Sequence, residues 1–263
     1  MPAHRARKRF GQHFLHDPLV IDRILMLIRP APGDHLVEIG PGRGALTDAL
    51  LAAAGELDAV EIDRDLAAAL RVRHAAHSGF RLHECDALTV DWSALAHERG
   101  GRLRLVGNLP YNISTPLLFG LLPHAAALRD MHFMLQREVV DRIVAAPGSG
   151  DYGRLGVMLA PFLHSERVLD VGPGAFQPPP RVQSAVVRMS VRADVPDWAH
   201  LPEFPRVVAA AFNQRRKQLR NALSALLDVQ QIEAAGIDPS ARAETLDASQ
   251  FGALARQAAG VIH

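Results

Sequence analysis

Residues 107–115 read Gly-Asn-Leu-Pro-Tyr-Asn-Ile-Ser-Thr, directly after an apolar run from Leu103 to Val106. Asn and Pro are turn residues, so a plain loop is one reading. The other is chemical. An exocyclic adenine amino group is a poor nucleophile, because its lone pair is delocalised into the ring. Acceptors placed around its N–H bonds favour a tetrahedral nitrogen whose lone pair is aimed at an electrophile. Asn108 can supply a side-chain carbonyl, and Leu109 or Pro110 a backbone one. Pro110 fixes its own φ and biases Leu109 toward extended geometry, so those acceptors are held in advance. Tyr111 can then stack on the base, which is worth about 1–3 kcal/mol and needs the base out of its helix. No general base need act before transfer, since positioning is the larger contribution.

Three further groups fall where the same chemistry needs them. Gly40, Gly42 and Gly44 follow one apolar run and precede a helical pattern, and glycine there lets a ligand approach the backbone. Residues 40, 42 and 45 also match the dinucleotide fingerprint G-x-G-x-x-A, a weak signal by itself. Glu61 and Asp63 end the second apolar run; a carboxylate there accepts hydrogen bonds from ribose hydroxyls, or caps the next helix, a role that suits Asp63 better. Asp86 ends the third run and Asn108 the fourth. Ligands of open parallel sheets lie outside the carboxyl ends of the strands, so Gly40, Glu61, Asp86 and Asn108 are expected around one crevice. A nicotinamide cofactor leaves Asp86 and the Asn-Leu-Pro-Tyr run unused. S-adenosylmethionine uses both, with Glu61 on its ribose, Asp86 on its adenine amino group and Asn108 near the reactive methyl.

The elements that must carry these groups are legible as alternation. Short apolar runs at 35–40, 57–63, 80–86, 103–108 and 131–136 alternate with Ala/Leu/Arg-rich segments of helical spacing. That predicts a parallel sheet with helices on both faces. Further strands are predicted at 156–162 and 184–191, with the Pro-rich stretch between them an ordered loop. Beyond about residue 195 the pattern is helical, and Val208, Phe212, Leu219, Leu223 and Leu226 mark one apolar face. The chain thus reads as a Rossmann-like domain over 1–195, with a basic N-terminal arm, and a small α-helical domain over 196–263.

Composition narrows the class. A chain of 263 residues with 48% hydrophobic and 22% charged residues is an ordinary globular protein, long enough for one large domain and an appendage. No run is long and apolar enough for a membrane span, and the basic N-terminus lacks the apolar stretch of a secretory signal. Cys85 is the one cysteine, which excludes an internal disulfide, suits a reducing cytoplasm, and reads as a small buried thiol. His13 with His16 and His74 with His77 are close pairs without cysteine or carboxylate partners at metal-site spacing, so no metal is expected. Net charge is only +1, yet basic residues cluster at 4–13 and 213–221. Such clusters are either solvated faces or local phosphate contacts. In the second, Arg215, Arg216, Lys217 and Arg220 sit on the helical pattern, with Arg216 and Arg220 on one side.

Taken in order, KRFGQHFL, EIGPGRGALT, VEID, DAL, GNLPYNIST, YGRLGV, FQPPPRVQSAV and FNQRRKQLRNAL make the chain resemble the ribosomal RNA adenine N6-dimethyltransferases over nearly its whole length. It is most similar to the bacterial branch that dimethylates two adjacent adenosines near the 3′ end of 16S rRNA. The resemblance implies a Rossmann-like methyltransferase fold, S-adenosylmethionine as cofactor, and 16S rRNA within the 30S subunit or its precursor as partner. It also implies a cytoplasmic, monomeric protein. Related alternatives are a 23S rRNA methylase of the macrolide-resistance type and a non-catalytic assembly factor. The resemblance implies that His13 and Leu15 touch the cofactor with Gly40, Gly42, Glu61, Asp86 and Asn108. It implies that Phe176 sandwiches the target base opposite Tyr111, where the residues alone suggest a loop side chain tucked into the core. The basic residues at 215–220 become rRNA phosphate contacts. His13 stands where the family commonly has Asn.

Overall fold

The computed structural model describes residues 13–260; the basic segment at 4–12 lies outside the described residues. The strands are β1 (Phe14–Leu15), β2 (His35–Ile39), β3 (Leu57–Val60), β4 (Phe80–His83), β5 (Leu103–Asn108), β6 (Leu128–Gln136), β7 (Leu163–Val171), β8 (Phe176–Gln177) and β9 (Ser184–Val191). Seven of them form one sheet in the order β4-β3-β2-β5-β6-β9-β7, and β1 pairs separately with β8. β4, β3, β2, β5 and β6 run parallel. They are linked by helices that include Thr47–Ala54, Arg64–Arg73, Trp92–Arg99 and Ser114–Leu121. β2, β3 and most of β5 are buried along their length, as strands covered on both faces must be.

The sheet departs from an all-parallel one at β9, which runs antiparallel to β6. What precedes β9 is the Pro-rich stretch after Phe176, not a crossover helix, so nothing constrains it to the parallel direction. A second departure concerns residues 156–162. The sequence pattern predicts a strand there, but Arg154–Leu159 is helical and the strand is β7, at 163–171. A short apolar run is ambiguous between a buried strand and a buried helix, and Val157 and Leu159 are buried either way. β7 lies at the sheet edge and alternates irregularly between polar and apolar residues, so it carries no strand signature.

The described residues form two compact units, one of residues 13–140 and 165–191, the other of 141–164 and 192–260. The expected division at residue 195 is therefore corrected, because 141–164 joins the second unit. The reason is packing: Tyr152 and Val157 share a core with Phe204, Val208, Leu219, Leu223, Ile232 and Phe251, and the Tyr152 hydroxyl donates to the Leu246 carbonyl at 2.7 Å. In the first unit, Ile24 and Ile28 of helix Pro18–Ile28 and Leu50 and Leu51 of Thr47–Ala54 pack with Leu36, Val106 and Met134 of the sheet.

Candidate active site

β3 and β4 extend the sheet on one side of β2, and β5 and β6 on the other. The direction of winding therefore reverses between β2 and β5, and a crevice opens at their carboxyl ends. The strands approach closely there: a Cβ on Gly107 would press on the Ile39 carbonyl oxygen. A cavity of about 320 Å³ occupies this place, within the usual range for small-molecule sites. His13, Leu15, Gly40, Gly42, Glu61, Asp86, Asn108, Pro110 and Tyr111 all line it. The sequence-derived site is thus largely one place in three dimensions.

Each polar group is held by a local cause. Gly42 has φ +59°, and a Cβ on it would crowd the Phe14 ring at 3.1 Å, so the turn requires glycine twice over. Its N–H donates to Glu61 Oε2 at 3.1 Å, while the Asp63 N–H donates to Oε1 at 2.9 Å. Glu61 is buried, which pushes its carboxyl up against the lowering effect of these two bonds. Asp63 caps helix Arg64–Arg73 through a bond from the Asp65 N–H, the division of labour expected between the two acids. Asp86 also caps, accepting from the Leu88 N–H at 2.9 Å through Oδ1. No hydrogen bond to its second oxygen occurs among the described residues.

Asn108 Nδ2 donates to the His13 carbonyl at 2.8 Å. A carbonyl only accepts, so the amide is oriented with its NH₂ toward His13 and its Oδ1 left as the acceptor. The His13 ring in turn bonds the Pro178 carbonyl through Nδ1 at 2.8 Å, which requires the proton on Nδ1. An Asn at this position can donate the same bond through its amide, so the departure from Asn keeps the contact. β1 is thereby clamped, paired to β8 on one side and bonded to Asn108 on the other. Pro110 accepts from the Ile113 N–H at 3.1 Å, and Ser114 Oγ donates to the Tyr111 carbonyl at 3.1 Å, closing the turn that presents Tyr111.

At two expected sites the surroundings differ from what the sequence pattern predicts. Phe176 is 3% exposed and packs in the core with Leu15, Val171 and Ala175, outside the cavity lining, because its pairing in β8 with Leu15 turns the ring inward. Arg215, Arg216, Lys217 and Arg220 do not share a helix. Helix Glu203–Asn213 ends before them, and Gln218 is extended, bridged to Arg242, before the short helix Leu219–Ala222. The i,i+4 relation of Arg216 and Arg220 therefore lapses. Arg215 bonds Glu244 at 2.8 Å and the Gly150 carbonyl at 2.9 Å, while Arg216, Lys217 and Arg220 are exposed. Leu109 is buried and is not part of the cavity lining.

The sequence reading missed Glu38, which lines the cavity at 2% exposure and accepts from Thr47 Oγ1 at 2.6 Å. Burial pushes its carboxyl up to about 7, partly offset by the Thr47 bond and reinforced by Glu61 and Asp48. An acid inside an otherwise apolar strand was the available signal.

The model of the ribosomal RNA adenine dimethylase family matches residues 3–259. The chain belongs to that family. Among its relatives, the ribosomal RNA small subunit methyltransferase A of Pseudomonas aeruginosa is 54% identical over 257 residues, covering 97% of this chain and 96% of that one. The protein of the same name from Methylococcus capsulatus is 53% identical over 254 residues, covering 97% and 98%. A dimethyladenosine transferase from Plasmodium falciparum shares the fold with a TM-score of 0.78 at 23% identity, over 92% of this chain and 96% of that one. The 23S rRNA methyltransferase ErmE superposes with a TM-score of 0.70 at 27% identity, over 93% and 98%. The Gly-rich turn, the carboxylates and the Asn-Leu-Pro-Tyr turn thus line one cavity in a member of the adenine dimethylase family. No helix among the described residues is long and apolar enough to cross a membrane.

Proposed function

We propose that this protein transfers methyl groups from S-adenosylmethionine to N6 of two adjacent adenosines near the 3′ end of 16S rRNA, dimethylating each during assembly of the small ribosomal subunit. The observation that carries the reading is the orientation of Asn108: its NH₂ is committed to the His13 carbonyl, so Oδ1 is the group offered at the cleft. When bound, the cofactor supplies an electrophilic methyl on a positively charged sulfur. The residues present fit it: Glu61 would hold the ribose hydroxyls, Asp86 the adenine amino group through its second oxygen, and the Gly40–Gly42 turn would admit the chain of the molecule to the backbone. His13 and Leu15 close the cleft from the N-terminal side.

The target amino group is held by Asn108 Oδ1 and a backbone carbonyl. Leu109 or Pro110 supplies the second acceptor through its carbonyl, and that of Pro110 already accepts one bond from the Ile113 N–H. With two acceptors on its N–H bonds, N6 turns its lone pair toward the methyl. As the N6–methyl bond formed, the methyl–sulfur bond would break and leave a neutral thioether, and the proton shed by N6 would go to water. In the second transfer N6 keeps one N–H, so only one acceptor is engaged and the other must tolerate a methyl. Tyr111 stacks on the base. Arg216, Lys217 and Arg220 meet rRNA phosphates, which makes affinity fall with salt.

The small subunit is preferred over the large because relatives above 50% identity carry the small-subunit name, against 27% for ErmE. The protein acts as a monomer in the cytoplasm on the 30S particle or its precursor. The test is radiolabel transfer to under-methylated 30S and to 50S particles. Incorporation into N6-dimethyladenosine on 30S alone is expected; no incorporation despite cofactor binding refutes the reading. Asn108→Ala should abolish transfer and leave particle binding intact.

A further inference from the structure

Tyr111 is held at more points than a stacking residue in a loop requires. Its carbonyl accepts from Ser114, its ring lies against the His13 ring with centroids 5.7 Å apart, and its hydroxyl is 3.0 Å from Ser184 Oγ. Ser184 is the first residue of β9, 1% exposed, and opposite Gln136 of β6. β6 separates β9 from β5, whose end carries the Asn-Leu-Pro-Tyr turn. The Tyr111 side chain therefore spans the end of β6 to reach a hydroxyl anchored in a rigid strand.

From this we infer that Ser184 is a positioning residue for methyl transfer, holding in place the Tyr111 side chain against whose ring the target adenine docks. The inference rests on the reading of Tyr111 as the base platform. A tyrosine bonded only through its backbone turns about χ1 and χ2, and each docking event must then immobilise it. A hydroxyl bond to a buried strand residue fixes the direction of the side chain before the base arrives, and the His13 ring beside it restrains the tilt. Asn108 and the neighbouring backbone carbonyl then receive N6 in register, because the place of the ring and that of the amino group are set from the two sides of β6. Burial pushes the Tyr111 phenol up and the Ser184 bond opposes this, so the phenol stays protonated and able to donate at neutral pH.

A double-mutant cycle tests it. Ser184→Ala removes a hydroxyl from a strand position that tolerates alanine, and Tyr111→Phe breaks the same bond from the cleft side while keeping the ring. Each single change should lower kcat/KM on under-methylated 30S particles about tenfold, equivalent to about 1.4 kcal/mol. Equilibrium binding of S-adenosylmethionine should stay at the wild-type Kd. The double variant should be no slower than the slower single. Wild-type kinetics for Ser184→Ala, or a double variant slowed by the product of the two single effects, would show that the bond does not position the ring. A parallel loss of cofactor affinity would show a structural role only. If the wild-type protein fails to methylate 30S particles, the functional reading itself falls, and this inference with it.

Discussion

Replacing Glu38 by Gln tests whether the cleft floor is as dry as its packing implies. Glu38 is 2% exposed and its folded-state pKa is about 7, against 4.5 for an ordinary glutamate, with burial as the main cause and Glu61 and Asp48 adding repulsion. The folded protein thus keeps a proton that the unfolded chain releases. For a carboxyl raised in this way the contribution to stability is full below pH 4.5 and is lost as pH rises through about 7. At about 1.36 kcal/mol per pH unit the interval is worth about 3 kcal/mol. Glu38→Gln keeps the shape and the acceptor for Thr47 but cannot ionise. The stability of the variant relative to the wild type should therefore rise by about 3 kcal/mol between about pH 5 and about pH 8, since all other titrating groups are common to both proteins. Urea unfolding read by hydrogen exchange of peptides spanning β2 reports on this unit alone. It should be run without cofactor, whose charge would shift the balance. A stability difference that stays flat across the range would mean that Glu38 is ionised in the folded protein, and the assignment of a desolvated acid at the base of the cleft would be wrong.

Three other outcomes follow from particular contacts. Gly42→Ala forces a side chain onto φ +59° and against the Phe14 ring, so cofactor affinity measured by calorimetry should fall at least tenfold while the helical unit melts unchanged. Arg104, 5% exposed, bonds Asp34 at 2.6 Å, Asp130 at 3.0 Å and the Ile28 carbonyl at 2.6 Å. Arg104→Ala takes the buried guanidinium from both acids and leaves them the more exposed Arg129, so chemical denaturation should show a loss of about 3 kcal/mol. In the second unit, a Cβ on Gly252 would overlap the Trp198 indole, so Gly252→Ala should cost about 1–3 kcal/mol of that unit's stability, visible as a separate shift in its thermal transition.

How much of this was legible beforehand depended on the range of the interactions involved. Alternation of apolar runs and helical segments placed β2 to β6 within a few residues, because parallel strands buried on both faces must be continuously apolar. The same rule misread 156–162, where burial demanded apolar residues but packing beside Tyr152 and Phe204 chose a helix. The edge strand β7, half polar, left no trace in the pattern.

At the cleft, Gly40, Glu61, Asp86 and Asn108 were recognisable from the chain alone, because each closes a strand at the carboxyl edge and topology brings those ends together. Residue type and order likewise carried the family. Only the tertiary structure decided which groups are free to act. It gave one Asp86 oxygen to a cap, committed the Asn108 amide to His13, turned Phe176 into the core through its pairing with Leu15, and split the basic segment across a helix break. Those choices depend on partners tens of residues away, whose directions and distances no local pattern encodes. The Ser184 hydroxyl, 73 positions from Tyr111, is the clearest case.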